Sequence, residues 1–152
     1  MKEGALLFAA SVLVAGAACE RAVSPHPPPS ATVTVECEAE FPAPPGFSLE
    51  EVVRVPESDH VGIRRSYSDD RGRMLRFTSG ISGEFGEGGS FAGSFPVPGG
   101  QEARLIGRGS DWVLIWEADP PCVQRTVGGN GFRRSQFVRL LRDLGLIPPP
   151  PD

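Results

Sequence analysis

Lysine and histidine are almost missing from this 152-residue sequence: Lys2 stands alone among the basic residues that are not Arg, and His26 and His60 are the only imidazoles. Two imidazoles far apart leave little material for a His-based metal site. The three cysteines, Cys19, Cys37 and Cys122, show no C-x-x-C spacing, which argues against a zinc ribbon or a thioredoxin-type redox pair. No metal and no cofactor is therefore expected. Surplus positive charge is lacking as well. A net charge of -4 argues against a nucleic-acid partner, because neutralising phosphates requires a basic excess. Nor is there an apolar run of the ~20 residues that a membrane-crossing helix needs. What remains is a chain with 39% hydrophobic and 22% charged residues, sized for one folded domain. Its 19 Gly and 16 Pro imply that some segments stay irregular while others fold.

The first eighteen residues read apart from the fold. Lys2 gives a weakly positive start, and residues 4–18 then run without a charge and end in small side chains. That is the plan of an export signal, so residues 1–18 are expected to be a signal peptide. Gly16, Ala17, Ala18 and Cys19 resemble the lipobox of bacterial lipoproteins, in which small residues precede a Cys that is diacylated and becomes the new N-terminus. The resemblance covers the first nineteen residues, with Gly16 where that family usually carries Leu. It implies that Cys19 is the lipidation site and that the protein sits on the outer face of a bacterial cytoplasmic membrane. Ordinary signal-peptidase cleavage is the alternative, leaving Cys19 a free or paired thiol on a secreted chain; an uncleaved anchor is the third. Residues 19–30 carry four Pro and no apolar periodicity, and read as an extended tether of ~3.1 Å per residue.

An exported protein meets an oxidising compartment, where an odd cysteine count asks for an explanation. With Cys19 lipidated, Cys37 and Cys122 are left to pair, which would tie the two ends of the domain together. Two buried or reactive thiols are the alternative.

One domain is expected over residues 31–147, followed by a disordered Pro tail at 148–152. Residues 31–37 are rich in β-branched side chains, and a second apolar run spans 47–55. Val61, Ile63, Arg65 and Tyr67 alternate on one face, Asp69, Asp70 and Gly72 supply turn chemistry, and residues 74–78 return: a β-hairpin. In residues 111–117, Trp112, Leu114 and Trp116 face one way and Val113 and Ile115 the other, as in a central strand covered on both sides. Residues 122–127 are its expected partner. Phe137, Leu140, Leu141 and Leu144 share one stripe of a terminal helix, Gly145 is placed to cap it, and Pro148 forbids continuation. The expected fold class is α+β: an antiparallel sheet, a meander of about six short strands, with one C-terminal amphipathic helix packed on a face.

Residues 80–100 contain eight Gly, with Phe85, Phe91 and Phe95 among them, and read as a long flexible loop. No Lys followed by Ser or Thr makes a phosphate cradle of them. The three Phe are expected to pin the loop to the core; as a lip over an apolar or lipid-like ligand they would make the protein a carrier. The order of the hairpin with Tyr67, the late Trp strand and the Leu-rich helix, over residues 46–145, is similar to that of small extracytoplasmic domains of unknown function in bacterial lipoproteins and anti-sigma-type sensors. This likeness implies an export setting and an α+β fold, and brings no catalytic residues.

Candidate chemistry is thin. Asp59 and His60 are the only acid–His neighbours, no G-x-S-x-G elbow offers a nucleophile, and His60 is expected to be an exposed loop residue before a strand. Arg groups at 64, 65, 71, 73 and 76, and at 125, 133, 134, 139 and 142, stand out; Arg133, Arg134, Arg139 and Arg142 are the candidate anion patch, for lipid headgroups, an anionic envelope component or an acidic envelope protein. The competing reading is a solvated face balanced by 19 acids. The expected function is a non-catalytic binding or structural module, tethered to the membrane through a lipid anchor, not an enzyme, and a monomer.

Overall fold

A computed structural model describes residues 34–38, 41–83 and 88–151. The expected signal peptide, Cys19, the tether and Phe85 lie outside the described residues. The described part contains β1 (Val35–Glu36), β2 (Ser48–Pro56), β3 (His60–Ser68), β4 (Met74–Ser79), β5 (Ser90–Pro96), β6 (Glu102–Arg108), β7 (Asp111–Glu117), β8 (Gln124–Asn130) and α1 (Arg134–Asp143). The α+β class stands, with eight strands in place of about six.

Two antiparallel meanders, β2-β3-β4 and β5-β6-β7-β8, are joined where β4 pairs with β8. The sheet is therefore not one simple meander: the flank of β4 goes to β8, and β5 is placed at the far edge. The short β1 pairs in parallel with the start of β3, at His60 and Val61. Since β2 already occupies one flank of Val61, β1 takes the other, end to end with β4.

The expected hairpin is β3–β4. Its turn is held by Asp69, whose Oδ1 accepts the N–H groups of Arg71 and Arg73 at 3.0 and 2.8 Å. Gly72 supplies the positive φ of 74° that the turn requires. Arg73 donates back to Asp69 Oδ2 at 2.7 Å and lies over the rings of Phe47 and Phe132.

One sheet face presents Tyr67, Leu75, Phe77, Val127, Leu114, Trp116 and Leu105 to the helix, and together with Phe132, Phe137 and Leu141 they form the core. Each large apolar side chain buried there contributes roughly 1.5–3 kcal/mol. Helix and sheet come close at Gly129, where a Cβ would stand 2.6 Å from the Phe137 ring. The helix ends as its sequence demands. Gln136 Oε1 accepts the Arg133 N–H at 3.0 Å at the start. At the finish Gly145, with φ 70°, donates to Arg142 O, and Leu146 donates to Leu141 O, turning Leu146 and Ile147 back into the core.

The other face is built from smaller and more polar residues. Across its centre run Arg64, Thr78, Thr126, Ile115 and Arg104, with Ser66, Arg76, Gly128 and Val113 in the neighbouring row. Ile115 is 9% exposed and Thr78 and Thr126 are buried, so the centre of the sheet is covered on both sides, as the β7 pattern requires.

Candidate functional site

Cys37 follows β1 and Cys122 precedes β8, and the two form the expected disulfide across 85 residues, with Cα atoms 5.4 Å apart. A backbone network positions them: the Cys37 N–H donates to Val61 O and the Gly80 N–H to Gln124 O, both at 2.8 Å. Gly80, at φ 72°, has no room for a side chain, since a Cβ would overlap the Cys37 sulfur. Closing so long a loop is worth ~4.5 kcal/mol in the chain-entropy account.

His60 sits in the same corner, and here the expectation fails: it is not an exposed loop residue but is 8% exposed, as the first residue of β3. Its ring nitrogens face two acceptors, with Nδ1 2.6 Å from Asp59 Oδ1 and Nε2 2.6 Å from Gly80 O. Only the doubly protonated imidazolium donates to both. The Gly80 carbonyl, followed by the Asp59 carboxylate, accordingly raises the His60 pKa from its ordinary 6.5, against the opposing effect of burial. The sole acid–His pair is thus a clamp on the end of β4 beside the bridge. It was missed because His60 follows Ser58 and Asp59, which look like turn residues, and a turn gives no sign of what packs behind it.

On the face away from the helix, a groove of about 380 Å³ runs along β8. Met74 and Arg76 form one wall, Asp111 and Val113 the other, and the main chain at Gly128 and Gly129 the floor. Asn130 donates to Asp111 at one end. An apolar trough with a cation on one wall and a carboxylate on the other suits a flat apolar group flanked by charge. Two more hollows, of about 520 Å³ each, share Arg104 and Glu117. The groove was not legible in the sequence, because the strand expected at residues 122–127 stops short of the two glycines, which β8 includes.

Two of the four arginines of the candidate anion patch have backbone partners. Arg134 Nη2 donates to Ala92 O at 2.8 Å, tying the helix to β5, and Arg142 Nε donates to Pro148 O at 3.3 Å. The Arg133 backbone is part of the helix start, and Arg139 is exposed. The Phe residues of 80–100 also divide: Phe95 packs against the core while Phe91 is 66% exposed. Residues 90–96 are not loop but strand, because Ser90, Phe91 and the residues from Gly93 to Pro96 find partners on β6. Among the described residues, no group of three or more His, Cys, Asp or Glu is placed to hold a metal ion. No described helix is long and apolar enough to cross a membrane. No family model, curated protein or solved structure matches this chain.

Proposed function

We propose that this protein is an exported, non-catalytic binding or structural module, moored by a lipid on Cys19 to the outer face of a bacterial cytoplasmic membrane. The observation that supports this reading best is the Cys37–Cys122 bridge. Disulfides persist in oxidising compartments, and pairing these two cysteines leaves Cys19 as the odd thiol immediately behind the apolar run of residues 4–18. The groove over Gly128 and Gly129 is the binding surface assigned to the module, for an envelope component with an apolar part and a charged neighbour. No cofactor enters this reading.

The carrier reading, with a lipid-like ligand beneath residues 80–100, has less support. Phe95 and β5 occupy the middle of that segment, and the helix rests directly on Gly129. Labelling with radioactive palmitate tests the mooring. Label is expected in the wild-type chain, recovered with membranes, and is expected to be lost from Cys19→Ala. Equal labelling of both, or recovery of unlabelled wild type from the cytosol, refutes the proposal.

A further inference from the structure

We propose that Arg125 and Ser79, facing each other on β8 and β4, hold one small oxyanion, a phosphate or a carboxylate, between them. The inference goes beyond the reading above and depends neither on lipidation of Cys19 nor on the groove over Gly128 and Gly129.

The site lies at the bridge end of the helix-side face. Ser79 stands two residues after Phe77 and Arg125 two before Val127, so both side chains emerge on the face that carries the core. Strand pairing sets them in one row, Ile63, Ser79, Arg125 and Trp116. Ile63, Ser79 and Trp116 are buried, while Arg125 is half-buried and keeps part of itself in solvent, where an ion can arrive. Phe41 stands alongside, its ring centroid 4.9 Å from that of Phe77 and 6.2 Å from that of Trp116.

What the row lacks is an acceptor. Arg125 Nε is shut off from solvent without a hydrogen-bond partner, and so is Ser79 Oγ, on a residue 2% exposed. Buried polar atoms are ordinarily satisfied. Among the described residues no carboxylate pairs with Arg125. Glu38 is held by Arg65, which stands opposite Phe77 in the next row. Thr78 and Thr126, opposite each other on the other face, also have unpartnered hydroxyls. A hydroxyl both donates and accepts, however, so those two can satisfy one another, whereas a guanidinium nitrogen only donates.

The chemistry of the occupant follows. Register partners carry their Cβ atoms about 4.5–5.5 Å apart, so one oxygen between the strands can accept from Arg125 Nε and from the Ser79 hydroxyl together. Its negative charge meets a cation that has no counter-ion. Carboxylate and phosphate groups also match the planar fork of the guanidinium with two oxygens. The apolar side chains of Phe41, Ile63 and Trp116 strengthen such a pair by keeping the local dielectric low.

Urea unfolding of the full chain near neutral pH tests the site, with sodium chloride replaced stepwise by sodium phosphate at constant ionic strength. The wild-type midpoint is expected to rise along a curve that saturates in the millimolar range, as binding to the folded state requires; the general exclusion of phosphate from protein surfaces gives no saturation. Arg125→Gln is expected to lose the saturating rise, and Ser79→Ala to need about threefold more phosphate, or above, for half of it. In chloride alone Arg125→Gln is expected to match or exceed the wild-type midpoint, because it removes a charge that has no partner, so the lost rise is not a failure to fold. A parallel titration with acetate separates the two chemistries. A saturating rise with both anions assigns the site to carboxylates and phosphates alike, and a rise with one assigns it to that one; either supports the proposal. It is overturned if neither anion gives wild type a saturating rise, if Arg125→Gln keeps the rise, or if Ser79→Ala binds as tightly as wild type.

Discussion

The two faces of this sheet are made by the same strands and have opposite characters. Toward the helix, Leu75, Phe77, Leu105, Leu114 and Val127 are buried to 1% exposure or less, and Phe137 closes over Gly129. On the other side the same strands bury Thr78, Thr126 and Ile115 at the centre and leave a groove beside Met74, Arg76 and Gly128. Strand alternation makes both faces at once. The difference teaches that the large apolar side chains are concentrated on the helix face, while the end of the other face beside Met74 and Gly128 is left open.

Paired truncations break that comparison most sharply. Phe137→Ala removes a fully buried ring and is expected to cost about 3–5 kcal/mol in urea unfolding. Met74→Ala, on the groove wall and 43% exposed, is expected to change stability by less than about 0.5 kcal/mol. Equal losses would mean that the groove face belongs to the core. Next in size is the bridge that closes the edge of both faces. Cys122→Ser is expected to lower stability by about 2–5 kcal/mol, read as a drop in the urea midpoint.

The smallest expected effect is that of the His60 clamp, and its sign is determined. The folded-state pKa is raised, so the clamp contributes fully below the ordinary value of 6.5 and its contribution is lost as pH rises through the folded value. Wild type should therefore exceed His60→Gln in urea midpoint most at about pH 5.5, and the gap should narrow toward about pH 8.5. A gap that widens with pH would show that the folded protein holds His60 as the neutral ring, which donates to only one of the two acceptors.

The hairpin, the Trp strand and the terminal helix were legible in the sequence because each is specified by neighbours within a few residues. Asp69 and Gly72 build their turn locally, and Leu140 and Leu141 follow helical spacing whatever the rest of the chain does. The cysteine pairing was expected once the lipobox resemblance set Cys19 aside. What was not legible depends on partners distant in the chain. Nothing in residues 90–96 says that β6 waits to pair with them, and glycine-rich composition argues for a loop. His60 looked solvent-exposed because Gly80, twenty residues on, is what buries it. Likewise, the apolar run of residues 47–55 does not show where β2 lies in the sheet. The groove is the same case: Gly128 and Gly129 become a floor only once β4 and β7 stand on either side.

The mooring and the bridge together form the central claim, and the intact mass of the native protein tests both. The account predicts a chain that begins at Cys19, carries added acyl mass there, and gains the mass of two hydrogens on reduction. A chain of unmodified mass that still begins at Met1 and is unchanged by reductant would contradict it.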